Sequence, residues 1–409
     1  MSTQPFTRAE RIASVEVSEI VRIAEAARAR RAAGEDVIGL STGEPDFDTP
    51  EHIKAAAERA MRDNDTHYPP TAGTVEMKAA IARKFEREND LRFEPREIIV
   101  STGAKQVLFN AFMATLNPGD EILVPTPFWT SYGDMIRITG ARLVPLPCTQ
   151  AQGFRLTPEA LREAITPRTR WLLLNSPNNP SGAAYDADDY RALAAVLAEH
   201  PHVWVAADEI YEHLVYGDFT FTAFRAAVAD SAPDVAARTL TVNGVSKAYA
   251  MTGWRLGYGA GDADLIAAMT AVQGQVTSGA STISQAAAVA ALDGPQDTVR
   301  TFRESFRLRR DSIVAALNQC PGLDCPTPEG AFYVFPSCAD LIGSRAPDGT
   351  VIDSDTAFCH YVLAAAGVAM VPGRPFGGPG HFRISYATAP DLLEDAGRRI
   401  AAACAELHR

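Results

Sequence analysis

Residues 243–261 read NGVSKAYAMTGWRLGYGAG and place a lysine, Lys247, just beyond an apolar strand. Small residues flank this lysine, Ser246 before it and Ala248 after it, so a flat ligand can approach the backbone. A lysine that forms a Schiff base must lose its proton, and loss of hydration with nearby positive charge lowers its pKa. Arg255 follows, and its planar guanidinium suits a phosphate group. The segment predicts a Schiff-base lysine beside a phosphate site, although a single lysine is more often an ordinary surface residue.

Two further segments carry polar groups at the ends of predicted strands. One is VWVAADEIYEHL, residues 203–214, in which an apolar run ends at Asp208 and Tyr211 follows. The other is LLLNSPNNPSG, residues 172–182, which carries Asn179 at its tip. Ligands of open α/β sheets bind at the carboxyl ends of strands. Three such strand ends favour a binding site for one flat, charged ligand over a surface lysine.

Short apolar runs alternate with helical stretches from about residue 97 to residue 261, and the runs predicted as strands are EIIVS, EILVP, RWLLLNSP, HVWVAADE, TLTVNG and RLGYGAG. This alternation predicts a mostly parallel sheet with helices on both faces. After about residue 300 a long polar helix leads to AFYVFP, HFRISYA and a final alanine-rich helix, which together predict a smaller α+β unit. The first 40 residues could pack with that unit, because chain ends often lie close together.

Composition limits the classes of function. A length of 409 residues favours one large and one smaller domain, and a net charge of −12 argues against nucleic-acid binding. We find neither an apolar run of about 18 residues nor a signal-peptide core, so we expect a cytoplasmic location and no membrane contact. The six cysteines and eight histidines show no zinc-site spacing. We therefore expect buried, reduced thiols and no metal.

With these motifs the chain resembles the class I aminotransferases of the pyridoxal 5′-phosphate (PLP) fold type I. SPNNPSG, DEIYE, the GEPDF loop at residues 43–47 and HFRISYA match the family pattern in order, over nearly the whole chain. The chain looks closest to the bacterial aspartate aminotransferase branch, subgroup Ib. The resemblance implies an α/β fold with a mostly parallel seven-stranded sheet flanked by helices, plus a smaller α+β domain. The implied domains are an N-terminal arm with part of the small domain (1–45), a large PLP-binding domain (46–315) and a small C-terminal domain (316–409).

The resemblance implies PLP as the cofactor and gives five residues a role around its ring. Lys247 would form the Schiff base and move the proton between the substrate and the cofactor. Asp208 would pair with the pyridine nitrogen and keep it protonated, so that the ring accepts electrons. Tyr211 and Asn179 would bond the phenolic oxygen, and Trp129 would stack on the ring.

Other residues are implied to hold the phosphate and the substrate. Arg255 and Ser246 would bind the phosphate, helped by the helix start at residues 103–105, which are Gly103, Ala104 and Lys105. Tyr68 would reach the phosphate of a neighbouring subunit, which implies a homodimer. The substrate-binding set is Gly43, Lys105, Trp129, Asn179 and Arg383. In it, Arg383 would grip the α-carboxylate and Gly43 would let the backbone close over it.

The substrates are less well defined. Lys105 is associated in this branch with the distal carboxylate of acidic substrates, which favours aspartate; its alternative is a second phosphate contact or a solvated lysine. The arm VEVSEIV, residues 15–21, departs from the branch pattern: Ser18 can align, but Ile20 stands where a threonine is usual. Phe128 stands where tyrosine is commoner. The acceptor of a ping-pong reaction therefore stays open among 2-oxoglutarate, oxaloacetate, glyoxylate and prephenate.

Other functions use similar residues. A PLP-dependent β-lyase or decarboxylase would also need Asp208, Tyr211 and Lys247, and an aminotransferase could take an aromatic substrate. A non-catalytic PLP-binding regulator would need a DNA-binding segment, and the roughly 40 residues ahead of the large domain carry no helix-turn-helix pattern. We therefore expect transamination of aspartate with a 2-oxo acid.

Overall fold

The computed structural model describes residues 6–13, 15 and 19–408, with the side chains of residues 19 and 20 left out. Ser18 and the side chain of Ile20, which the sequence singles out in the arm, thus lie outside the described part. Its helices are α1 (Glu19–Ala32), α2 (Glu51–Arg62), α3 (Val75–Asn89), α4 (Ala104–Thr115), α5 (Ser131–Ile138), α6 (Pro158–Ala164), α7 (Ala187–Ala198), α8 (Phe224–Val228), α9 (Pro233–Ala237), α10 (Ala263–Val276), α11 (Thr282–Asp293), α12 (Asp297–Asn318), α13 (Asp355–Ala366) and α14 (Pro390–Ala405). Its strands are β1 (Ile38–Gly39), β2 (Ile98–Ser101), β3 (Glu121–Thr126), β4 (Arg142–Pro147), β5 (Thr169–Asn175), β6 (Trp204–Asp208), β7 (Thr239–Gly244), β8 (Gly257–Ala260), β9 (Tyr333–Val334), β10 (Val368–Ala369), β11 (Val371–Pro372) and β12 (Phe382–Ser385). Among the described helices, none combines the length and apolar character needed to cross a membrane.

Seven strands of the described chain form a central sheet in the order β2-β8-β7-β6-β5-β3-β4. Helices connect β3 through β7, and these five strands are parallel to one another. The connection from β7 to β8 contains no α-helix, and β8 runs antiparallel to both β7 and β2. This confirms the predicted mostly parallel, seven-stranded α/β fold. The short β7–β8 connection carries Lys247 and Arg255.

One strand of this sheet, β4, was absent from the strands that the sequence predicts. It lies at the edge of the sheet, pairs only with β3, and buries only Leu146 fully. Two of its six residues are Pro145 and Pro147. Proline is tolerated at a sheet edge because no ladder hydrogen bond is needed there, and its presence weakens the sequence signal for a strand.

A second packed region is built from both ends of the chain. Strands β11, β12 and β9 form an antiparallel sheet, and β1 pairs in parallel with β10, with Ile38 opposite Val368. Helix α1 packs on β10 and β11, and α12 packs on α14. The N-terminal segment thus contacts the C-terminal segment, as the sequence suggested. The proposed boundaries at 45/46 and 315/316 stay predictions, and the second falls inside α12.

All six cysteines are buried free thiols.

A buried ion pair ties α3 to the segment that follows β6. The ammonium of Lys84 is fully buried and contacts the carboxylate of Glu212, whose side chain is also buried. Asn89 bonds both groups: its Oδ1 accepts from Lys84 at 2.6 Å and its Nδ2 donates to Glu212 at 2.7 Å. Burial raises the pKa of Glu212, but its charged and hydrogen-bonding neighbours together, of which the charge of Lys84 has the largest effect, hold that pKa below its usual value. Because Glu212 follows Tyr211, this pair fixes the backbone beside the cavity described below.

Removing one partner of this pair should destabilise the protein strongly. Lys84→Met leaves the Glu212 carboxylate buried without its cation, which should lower the free energy of unfolding by about 3–5 kcal/mol. Adding Glu212→Gln removes the unpaired charge and should restore part of the loss. Urea unfolding followed by circular dichroism measures both, with Arg62→Met of the exposed Glu58–Arg62 pair as the control, expected to change stability by less than about 1 kcal/mol. A double variant no more stable than Lys84→Met would contradict this account.

Candidate functional site

A cavity of about 360 Å³ lies at the carboxyl ends of β5, β6 and β7. The sequence-predicted residues that line it are Gly43, Ala104, Lys105, Trp129, Asn179, Asp208, Tyr211, Ser246, Lys247, Arg255 and Arg383. Gly103 directly precedes this lining at the start of α4. Tyr68 is not brought to the cavity: its side chain is 93% exposed, in a separate groove with residues 277–283.

Lys247 lies within the cavity, where its amine contacts the loop that carries Gly43. Its Nζ donates a hydrogen bond to the backbone oxygen of Gly43 at 2.7 Å. Loss of hydration lowers the pKa of Lys247 to about 8; the charges of Arg383 and Arg255 act in the same direction, and that of Glu44 opposes them. A substantial fraction of the amine is therefore neutral near physiological pH, which a nucleophilic amine requires.

Asp208 ends β6 and faces the same cavity from a buried position. Burial raises its pKa to about 6, while a hydrogen bond from the hydroxyl of Tyr132 to Oδ2, at 2.6 Å, opposes that shift. The sequence analysis missed Tyr132. It lies in the first turn of α5, three residues after Trp129, and the two rings meet edge to face with centroids 5.4 Å apart. The spacing of three residues was the available signal, because a helical turn brings such residues together.

Asn175 was also missed, although it lies in a segment that the sequence analysis used. It is the last residue of β5 and is in register with Asp208 on β6. Its Nδ2 donates to the backbone oxygen of Asp208 at 3.0 Å, and its Oδ1 accepts from the backbone N–H of Asn179 at 2.9 Å. Asn175 therefore ties two of the three strand ends together.

An anion site is formed where Arg255 meets the start of α4. The guanidinium of Arg255 donates to the backbone oxygens of Thr252 (2.8 Å) and Thr102 (3.3 Å). Gly103 has a φ of +97°, and a Cβ at this position would lie 2.6 Å from Nη2 of Arg255. Glycine thus lets the arginine approach the helix N-terminus, where backbone N–H groups and the helix dipole favour an anion.

Arg383 is a nearly fully buried cation with unused hydrogen-bonding capacity. Its side chain is 1% exposed. Nη1 donates to Oδ1 of Asn179 at 2.9 Å, and Nη2 donates to the backbone oxygen of Ser41. Its Nε is buried and has no hydrogen-bond partner among the described residues. A buried guanidinium that bonds only neutral acceptors here is suited to a carboxylate ligand.

The loop that carries Gly43 is anchored against α12. Asp46 forms an ion pair with Arg309 at 2.7 Å, and Phe47 stacks on Phe302 with ring centroids 4.0 Å apart. A Cβ on Gly43 would lie 2.3 Å from the hydroxyl of Tyr333, so only glycine lets the loop pack this closely. Tyr333, which the sequence analysis also missed, lines the cavity.

Lys105 and Trp129 meet at another part of the lining. The ammonium of Lys105 lies 4.6 Å from the centre of the Trp129 ring and donates to the hydroxyl of Ser131 at 3.2 Å. Partial burial lowers the pKa of Lys105, and the positive charge of Arg255 adds to this effect. Lys105 is therefore a cation that an anionic ligand group would stabilise.

Known proteins resemble this chain in sequence and in fold. The family described as aminotransferase class I and II matches residues 35–400. The chain belongs to this family. An aspartate aminotransferase of Rhizobium meliloti (strain 1021) is 56% identical over 402 residues, covering 98% of this chain and 97% of the relative. An aspartate/prephenate aminotransferase of Cereibacter sphaeroides is 50% identical over 396 residues, covering 97% of this chain and 98% of the relative.

A solved structure agrees with this assignment. The crystal structure of the aspartate aminotransferase from Rhizobium meliloti superimposes with a TM-score of 0.96 at 55% identity, covering 99% of this aminotransferase and 100% of the other chain. The resemblance that the motifs predicted is thus confirmed for the family, the α/β fold and the enzyme class. The individual roles of the site residues stay predictions.

Tyr132 should stabilise the charged form of Asp208. Tyr132→Phe removes a hydrogen bond to a carboxylate, which should lower the free energy of unfolding by about 1.5–3 kcal/mol at pH 8. Because the pKa of Asp208 is about 6, the carboxylate is charged at pH 8 and mostly neutral at pH 5, so the loss should be smaller at pH 5. Urea unfolding at the two pH values measures the difference. Tyr249→Phe is the control, since that hydroxyl donates to the neutral amide of Gln296 at 2.9 Å; equal pH dependence in both variants would refute the role of Tyr132.

Proposed function

We propose that this aminotransferase uses PLP to transfer the amino group of aspartate to a 2-oxo acid in a ping-pong reaction. The observation that carries the proposal is the amine of Lys247, with its pKa of about 8, in one cavity with the buried groups Asp208 and Arg383. A nucleophilic amine, a carboxylate and a carboxylate-binding guanidinium are the three groups that this chemistry requires. The names of the relatives support aspartate as the amino donor.

The residues present fit PLP on two counts. Ser246, Arg255 and the N-terminus of α4 line one part of the cavity and would hold the phosphate. Asp208 is buried with a raised pKa, and a protonated pyridine nitrogen opposite it would stabilise its charged form. Tyr211 and Asn179 would bond the phenolic oxygen and Trp129 would cover one ring face. When bound, the cofactor withdraws electrons from the Cα of the attached amino acid.

Some residues of this chain would then hold or move protons, and others would orient the substrate. Asp208 would hold the proton on the pyridine nitrogen. Lys247 would move a proton between Cα of the substrate and C4′ of the cofactor. Arg383 would bind the α-carboxylate, using the Nε that has no partner among the described residues. This fixes the Cα–H bond toward Lys247 and replaces a bimolecular encounter by a defined geometry.

A second copy of the chain would complete the site. Tyr68 lies outside the cavity of its own chain and its side chain is almost fully exposed. An exposed tyrosine outside its own cavity is free to contact a second copy of the chain, which is compatible with the proposed homodimer and with Tyr68 at the phosphate of the neighbouring subunit.

Prephenate is a second candidate for the amino acceptor. The relative from Cereibacter sphaeroides is named for both aspartate and prephenate, at 50% identity over nearly the whole chain. Prephenate carries two carboxylates, as aspartate does, so Arg383 and Lys105 could serve either compound.

The half-reaction tests the proposed function directly. PLP-loaded enzyme mixed with aspartate, without an oxo acid, should convert to the pyridoxamine form while its absorbance is followed. Lys247→Ala should abolish this conversion, whereas Lys54→Ala, which changes an exposed lysine paired with Glu51, should not. Adding 2-oxoglutarate, oxaloacetate, glyoxylate or prephenate to the pyridoxamine form then identifies the acceptor. If no pyridoxamine form appears, release of β-alanine from aspartate would instead establish a decarboxylase. Release of pyruvate and ammonia from an amino acid with a leaving group on Cβ, such as cysteine, would establish a β-lyase.

Lys105 should select acidic substrates. Lys105→Met removes the cation proposed to pair with the distal carboxylate, so kcat/KM for aspartate should fall by about 10- to 100-fold, since a charged hydrogen bond contributes about 1.5–3 kcal/mol. The rate with alanine, which lacks that carboxylate, should change little. Lys105→Arg keeps the charge and should retain part of the preference. Equal losses for aspartate and alanine would show that Lys105 serves the cofactor instead.

A further inference from the structure

Tyr333 connects three parts of the cavity through one buried side chain. It lies on β9, paired with Ser385 of β12, and is 0% exposed. Its hydroxyl lies 2.9 Å from the hydroxyl of Tyr211 and packs against Gly43, and the Arg383 guanidinium carbon lies 4.7 Å from its ring centre. None of the roles assigned above uses this residue.

We infer that Tyr333 is a positioning residue that acts through Tyr211, by donating a hydrogen bond to the Tyr211 hydroxyl oxygen. This rests on the proposed function, in which Tyr211 bonds the phenolic oxygen of PLP. The two hydroxyls form one pair, and either oxygen can be the donor in the structure. If the Tyr211 hydroxyl donates its proton to an acceptor in the cavity, it can no longer donate to Tyr333. The hydrogen bond between the two hydroxyls then remains only if Tyr333 is the donor.

The surroundings of Tyr333 fix the position of its hydroxyl oxygen beside Tyr211. Its ring meets the ring of Tyr211 at 85°, with centroids 5.8 Å apart, and Arg383 covers it. The hydroxyl cannot swing away toward the loop, because Gly43 already lies against it. Among the hydrogen bonds of the described residues, Tyr211 is the partner of the Tyr333 hydroxyl. A buried hydroxyl with one partner and no room to turn is well suited to orient that partner.

The chain of two hydroxyls should strengthen the bond that Tyr211 makes. A hydroxyl oxygen that accepts a hydrogen bond becomes a better donor of its own proton, by about 10–30% per bond. Tyr211 would therefore stabilise a negatively charged phenolic oxygen more strongly with Tyr333 than without it. That stabilisation favours the deprotonated form of the lysine-bound cofactor, so it lowers the pH at which this form appears.

The pH midpoint of the absorbance change of the bound cofactor tests the inference. Tyr333→Phe keeps the ring over Arg383 and removes only the hydroxyl, so the midpoint should rise by about 0.2–0.5 pH unit while KM for aspartate stays unchanged. Tyr211→Phe should raise the midpoint further. In the Tyr211→Phe background, adding Tyr333→Phe should cause no additional shift. Tyr185→Phe is the matched control: it also removes one buried hydroxyl, which accepts from the backbone N–H of Leu156 at 2.8 Å, and should leave the midpoint unchanged.

The outcomes separate this inference from the proposed function. A shift caused by Tyr333→Phe alone, and absent in the Tyr211→Phe background, supports it. No shift with Tyr333→Phe, while Tyr211→Phe does shift the midpoint, overturns the inference and leaves the proposed function standing. Equal shifts in both backgrounds show that Tyr333 does not act through Tyr211 and also overturn it. If PLP gives no lysine-dependent absorbance band with the unmodified protein, the proposed function itself fails.

Discussion

Burial away from water shifts the pKa values of the two central ionisable groups of the cavity in opposite directions. Burial lowers the pKa of Lys247 to about 8 and raises the pKa of Asp208 to about 6. Both groups are moved toward their neutral forms, since a medium of low polarity disfavours charge of either sign. The proposed chemistry depends on this single effect. It supplies a neutral amine for attack, and a carboxylate whose charge is best stabilised when a cation binds opposite it.

The register of the central sheet places the ends of strands β5, β6 and β7 side by side, and this brings Asp208 and Lys247 to one edge of the sheet. Asn175 is aligned with Asp208, and Asp208 with Val242, so three parallel strands end along one edge. The chain then turns back as β8, antiparallel to β7, instead of crossing over through a helix. This reversal brings the connection that carries Lys247 and Arg255 to that same edge, and it makes β8 the one antiparallel strand of this sheet.

Sequence reasoning succeeded where function follows a strand and failed where it depends on packing between distant segments. Asp208, Asn179 and Lys247 follow apolar runs, so position along the chain was enough to place them at the sheet edge. Tyr132 and Tyr333 reach the site through contacts across the fold, with Asp208 and Tyr211 respectively. The spacing of Tyr132 from Trp129 was one local signal, whereas no local pattern distinguishes Tyr333 from a core tyrosine. The edge strand β4 was missed for a related reason, because exposure and proline leave little apolar signal.

The cavity has a net positive lining although the protein as a whole is acidic. This local positive charge makes the binding of the cofactor and the binding of the substrate depend on each other. Its lining carries Lys105, Lys247, Arg255 and Arg383 against the carboxylates Glu44 and Asp208, while the chain has a net charge of −12. After burial, the charge of Arg255 is what lowers the pKa of Lys105. A phosphate bound at Arg255 would neutralise that charge and make Lys105 a more stable cation. Binding of the cofactor phosphate would therefore favour the charged form of Lys105, which is the form that binds the second carboxylate of an acidic substrate. Lys105 and Arg255 repel each other in the empty cavity. Each anion that binds reduces this repulsion, so the cofactor would strengthen binding of the substrate and the substrate that of the cofactor.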